Sequence, residues 1–135
     1  MLNQPDPTPR PLDHIAEMAV AAGHGEAPAL VLREGTLNHN QLRQRVAMLA
    51  GWLAGIVPDK GARVASWAAK GELTCLLPLA AARAGLVHVP INPLLKRAQA
   101  AHILADSGAR LLIGTGSRLA SLEADDLPDG CAALA

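Results

Sequence analysis

Ala82-Arg83-Ala84-Gly85-Leu86-Val87-His88-Val89-Pro90-Ile91-Asn92-Pro93-Leu94-Leu95 reads as the end of a helix, a short strand and a proline-fixed exit. Gly85 supplies a left-handed helix terminator, Leu86 to Val89 is a β-rich apolar run, and Pro90 and Pro93 remove backbone donors and so end the ladder. A run so short and so apolar is expected in the middle of a parallel sheet. A helix and a strand lie on either side of it, so one β-α unit repeats about this point.

Working outward toward the C-terminus, a helix is expected from about Lys96 to Ser107, with Ala100, Ile103 and Leu104 turned inward. Gly108 ends it, and Arg110 to Ile113 is the next apolar strand. Ser117 to Leu122 reads as a short helix, and residues 123–135 read as a loose acidic tail with no closing element.

Toward the N-terminus, Glu72 to Ala84 places Leu73, Leu76, Leu77, Ala80, Ala81 and Ala84 at helical spacing, with Pro78 predicting a kink or a shortened first turn. Arg63 to Trp67 is a second strand, entered through the Pro58-Asp59-Lys60-Gly61 turn. Asn38-His39-Asn40-Gln41 is a capping-box pattern with Asn in place of Ser or Thr. It should start a helix whose stripe is Leu42, Val46, Leu49, Ala50 and Leu53. Ahead of it, Ala29 to Leu32 and Thr36 to Leu37 flank a bend at Arg33-Glu34-Gly35, the pattern of a small hairpin. Leu12 to Ala22 is an amphipathic helix, and residues 1–11, with four prolines, are expected to be extended or disordered. Strand, helix, strand, helix, strand with short turns defines an α/β fold: a right-handed parallel sheet with flanking helices, plus the small N-terminal hairpin.

Composition narrows the function. The chain of 135 residues is sized for one domain, here residues 12–122. Its 12 basic and 12 acidic residues balance, which gives no electrostatic reason to expect nucleic acid or an anionic membrane. Trp52 and Trp67 are the only aromatic residues of the Phe, Tyr and Trp class, so no stacking platform for single strands is available. Cys75 and Cys131 are far apart and form neither a disulfide framework nor a zinc pattern. The N-terminus lacks the layout of a secretory signal and no apolar run reaches bilayer length, so a cytoplasmic protein without a membrane span is expected.

Candidate chemistry is sparse. Gly114-Thr115-Gly116 lies between a strand and a helix, where exposed amides attract phosphate, but Leu119 stands where a dinucleotide fingerprint needs its third glycine. A turn requiring flexible residues explains it better. Lys60-Gly61 lacks the upstream glycine and following Ser or Thr of a phosphate loop. His14, His24, His39, His88 and His102 fall on separate elements without metal-ligand spacing. His88, on the expected central strand, is better explained as a satisfied neutral histidine than as a ligand or base. Ser66, Ser107, Ser117 and Ser121 lack a nucleophile elbow. A phosphoacceptor receiver needs carboxylates at its strand ends, where this chain has Trp67, Val89 and Ile113.

Several segments together resemble the amino-terminal region of AMP-forming acyl-CoA synthetases, the adenylating superfamily that includes fatty acyl-CoA ligases, luciferases and peptide-synthetase adenylation domains. They are Ala27 to Val31, Thr36 to Leu42, Lys60 to Ala65, Arg83 to Pro93 and Ile103 to Ile113, in the family's order over roughly residues 12–114. The segment from Asn92 through Ile113 further resembles the acyl-CoA ligases associated with exosortase systems. His39 stands where the family usually has Tyr, and Ala62 where an Asp usually follows the glycine.

The resemblance implies an incomplete first subdomain of an adenylating enzyme. The parent would activate a carboxylic acid with ATP and Mg2+ to an acyl-adenylate and transfer it to coenzyme A. The family's ATP-handling loop, Tyr-Gly-x-Thr-Glu segment, ribose-binding Asp and catalytic Lys have no counterpart here. No catalytic, cofactor-binding or metal-binding residue is therefore assigned, and the chain alone is expected to bind no cofactor and to be inactive. Its expected partner is the remainder of the ligase, with self-association through an uncovered apolar face. The alternative is a free-standing degenerate α/β module that binds a partner protein or a small ligand.

Overall fold

The computed structural model describes residues 15–135. The stretch 1–11 and the first residues of the first expected helix, 12–14, lie outside the described residues. Helix α1 covers Ile15–Ala21, and strands β1 (Pro28–Leu32) and β2 (Gly35–Asn38) form the expected antiparallel hairpin, with Leu30 opposite Leu37 and Leu32 opposite Gly35. Helix α2 (His39–Ile56) starts at a complete capping box: Asn38 Oδ1 accepts from Gln41 N at 2.8 Å, and Asn38 N donates to Gln41 Oε1 at 2.9 Å. Two of the helix's unpaired first-turn donors are thereby satisfied locally.

From there the chain alternates: β3 (Arg63–Trp67), α3 (Glu72–Arg83), β4 (Val87–Pro90), α4 (Arg97–Ser107), β5 (Leu111–Gly114), a short α5 (Gly116–Ala120), a 3-10 turn (Ala124–Asp126) and β6 (Ala132–Leu134). Helix α3 carries Pro78 within its run, where the missing N–H leaves the Thr74 carbonyl without its usual donor four residues on. It ends in a Schellman motif: Leu86 N donates to Ala81 O at 2.8 Å, Gly85 N donates to Ala82 O at 3.0 Å, and Gly85 has φ +75°.

The four later strands make one parallel sheet in the order β4-β3-β5-β6. After β4 the chain crosses back over β3 to lay down β5, so the helices fall on opposite faces. Alternation along the strands follows this division. Val64, Leu111 and Ile113 share a core with Val46, Leu53, Leu77 and Ala80 of α2 and α3, whereas Ala65, Trp67 and Leu112 share one with Ala100 and Leu104 of α4.

Two expectations are corrected. The run Leu86 to Val89 is an edge strand and not a central one; β3 and β5 are central. Val87 is 48% exposed and His88 half-buried, while β5 is buried throughout. Pro90 fits this placement, because a residue without an N–H is tolerated at a sheet edge.

The tail, expected to be loose, closes the sheet instead. Strand β6 pairs with β5 through Leu111–Ala132, Leu112–Ala133 and Ile113–Leu134. Its acids are not simply solvated: Arg97 Nε donates to Asp126 Oδ2 at 2.6 Å and Arg97 Nη2 to Asp126 Oδ1 at 3.1 Å. Leu122, Leu127 and Cys131 cover the α4 core. The side chains of β6 are all exposed, so backbone pairing and not a hydrophobic face holds it.

Candidate functional site

In a doubly wound sheet the loops leaving the strand ends on either side of a reversal in strand order diverge to opposite faces and leave a crevice. Here that reversal lies between β3 and β5. A cleft of about 590 Å³ opens there, lined by Trp67, Pro93, Leu95, Lys96, Arg97 and Arg118 among others. Arg118 pins the loop after β4 to the turn after β5, donating to Pro93 O at 3.1 Å and to Thr115 Oγ1 at 2.9 Å. Arg97 is occupied by Glu123, at 2.7 Å, and by Asp126. The bond from Arg97 and one from the Glu123 backbone hold the Asp126 carboxyl below the usual carboxylate range. Lys96 adds an exposed ammonium. Trp67 Nε1 is buried without a hydrogen-bond partner, an exception among the buried donors of the described residues.

Gly114-Thr115-Gly116 borders this cleft as a packing turn. A Cβ on Gly114 would lie 3.0 Å from the Trp67 carbonyl oxygen and 2.9 Å from Leu119 Cδ2, so glycine is needed for the close approach of β3 and α5. Helix α5 has only five residues.

A second cleft, about 320 Å³, lies on the opposite face at the ends of β3 and β4, beside α3. It contains Ser66, the one buried polar side chain of the described residues, whose Oγ shares a 2.8 Å hydrogen bond with His88 Nε2. Burial holds the His88 imidazole below its ordinary pKa. His88 is thus hydrogen-bonded and half-buried, but on the edge strand.

The remaining sequence candidates stay apart. His24, His39 and His102 sit on separate elements, His14 lies outside the described residues, and the described residues hold no group of three or more His, Cys, Asp or Glu side chains placed to bind a metal. Cys75 is exposed, and Cys131 is half-buried, which pushes its thiol pKa up. No helix among the described residues is long and apolar enough to cross a membrane. Sequence reasoning missed Trp67, Lys96 and Arg118 as cleft residues, because they come from the end of β3, the N-cap of α4 and the short α5, which only the strand order brings together.

The fold and this crevice define a doubly wound α/β domain with a cleft at the reversal of strand order. Residues 18–133 match the profile of the AMP-binding enzyme family, and the chain belongs to that family. Among curated proteins it is 29% identical over 109 residues to an L-proline–[L-prolyl-carrier protein] ligase of Pseudomonas fluorescens, covering 81% of this chain and 22% of that protein. It is 32% identical over 114 residues to N-(5-amino-5-carboxypentanoyl)-L-cysteinyl-D-valine synthase of Amycolatopsis lactamdurans, covering 82% of this chain and 3% of that one.

Among solved structures, the N-terminal domain of FACL13 from Mycobacterium tuberculosis superposes with a TM-score of 0.83 at 23% identity, covering 93% of this chain and 33% of that chain. A benzoate CoA ligase from Burkholderia xenovorans superposes at 0.79 with 21% identity, covering 93% and 25%. The chain therefore has the fold of the N-terminal subdomain of adenylating enzymes, and it spans under a quarter of the length of these curated relatives.

Proposed function

We propose that this chain is the first α/β subdomain of an enzyme that activates a carboxylic acid with ATP and Mg2+ to an acyl-adenylate and passes the acyl group to coenzyme A. The family match over residues 18–133 carries this reading. The cleft between β3 and β5 supports it, since Lys96 and Arg118 give its lining a cationic character suited to a phosphate-bearing ligand. The thiol acceptor has a second reading, a carrier-protein thiol, favoured by the carrier-protein ligase among the sequence relatives. The narrower likeness to exosortase-associated ligases belongs to the coenzyme A reading.

The chain by itself is architectural in this proposal. Its partner is the adenylate-handling remainder of the enzyme, and its compartment the cytoplasm, where ATP and coenzyme A are at hand. Exposed Met48, Trp52 and Ile56 along α2, at 69%, 45% and 41%, are apolar surface available for packing.

Acid-dependent exchange of labelled pyrophosphate into ATP tests the division of labour. The purified 135-residue chain should give none, and measurable exchange would overturn the architectural role.

A further inference from the structure

We propose that the exposed stripe of α2 is an isologous interface on which a second copy of this chain docks, helix against helix and antiparallel. Arg45, Met48, Trp52 and Ile56 recur at helical spacing, and the last three are 69%, 45% and 41% exposed. From Val46 through Pro58 the chain carries no charged residue. The helix already buries Val46, Ala50 and Leu53 in the core, so this is a second apolar stripe, one that the described residues leave open to water. Beside it a groove of about 310 Å³ lies between α2 and α3, lined by Met48, Leu49, Leu73 and Leu76 together with the Arg45–Glu72 ion pair.

Charge and spacing select a second copy as the occupant. Arg43 and Arg45 stand near the start of α2, while its last turn holds no basic residue to face the carbonyl end of the helix. Asp59 follows that end, 65% exposed and no nearer than 3.7 Å to Arg110. With Trp52 on a two-fold axis, Met48 lies opposite Ile56 of the second copy, whose side chain enters the groove beside Met48. Arg45 lies opposite Asp59 and the carbonyl end of the other α2, roughly 10 Å from the axis at 1.5 Å of rise per residue. Apolar residues then meet apolar ones at the centre and cations meet anions at both ends. Arg45 keeps Glu72, so no unpaired charge is buried. A stripe of about three turns is small beside a standard interface, which sets the dimer Kd on the order of 10 µM. The stripe belongs to neither cleft, so this proposal and the adenylation reading can fail separately.

Sedimentation equilibrium of the full 135-residue chain over a concentration series tests it. A closed monomer–dimer equilibrium is expected. Trp52→Lys puts a charge on the axis at an exposed position and should weaken the dimer by about a hundredfold or more while leaving the unfolding transition cooperative. Met48→Lys, at a still more exposed position, repeats the test. Leu134→Lys, on the exposed edge strand β6, should leave the equilibrium unchanged. In a Cys75→Ser, Cys131→Ser background, Met48→Cys chains mixed with Ile56→Cys chains should form the mixed disulfide in preference to either homodimer. Four results would overturn the assignment: a chain still monomeric about tenfold above that Kd, leaving the stripe to the remainder of the enzyme; association lost with Leu134→Lys but kept with both lysine variants of α2; open-ended aggregation; or no preference for the mixed disulfide.

Discussion

Lys60 lies across Gly85. Its Nζ donates to the Ala84 carbonyl at 3.2 Å, and its side chain fills the space where a Cβ on Gly85 would come within 2.6 Å of Lys60 Cδ. The turn before β3 thereby closes the open C-terminus of α3, and Gly61 N donates to Gly85 O at 2.7 Å beside it.

Gly85→Ala should therefore destabilise the chain by about 1–3 kcal/mol, from left-handed backbone strain at φ +75° plus displacement of Lys60. Gly51→Ala is the contrast: Gly51 sits on the exposed side of α2 with nothing within 4 Å of its added Cβ, and should stabilise by roughly 0.5–1 kcal/mol. Urea unfolding of both variants checks the pair; equal effects would refute the assigned roles.

Asn38→Ala removes the side chain that caps α2 and should cost about 1 kcal/mol. Asn38→Ser keeps a capping oxygen and should recover most of it. The same unfolding curves decide, and a cap of no consequence would show as two superimposable transitions.

Arg97 and Asp126 tie the turn before β6 to α4. Because the Asp126 pKa is lowered in the folded chain, its contribution is present above the unfolded carboxylate value, about 3.9, and is lost as pH falls through the folded value below it. Asp126→Asn should raise the amide exchange rates of residues 132–134 at neutral pH while those of β3 stay slow. Unchanged exchange in β6 would mean that backbone pairing with β5 suffices.

His88 titrates with the opposite charge but the same sign of linkage. Burial lowers its folded pKa, so the unfolded chain takes up the proton first, near 6.5, and stability falls as pH drops through that value toward the lower folded one. His88→Gln should flatten this slope of stability below neutral pH. A slope unaltered by the substitution would assign it to other groups.

Much of this protein was legible in its residues because it is written in local chemistry. Asn38 and Gln41 announce a helix start, Gly85 and Gly108 announce helix ends, and the spacing of Val46, Ala50 and Leu53 names the buried face of α2. These signals need no distant partner, and the alternation of strands and helices that they punctuate suffices for an α/β class and a family likeness.

What only the tertiary structure decided is order across the sheet. An apolar run such as Leu86 to Val89 is the same run at an edge or in the middle; the return of the chain over β3 after β4 makes it an edge. That crossover also creates the crevice where Trp67, Lys96 and Arg118 meet, while the pairing of β3 with β4 sets Ser66 beside His88 in the other cleft. Strand β6 was silent in the sequence for a related reason: it buries no side chain, and is held by backbone bonds that β5 alone can offer.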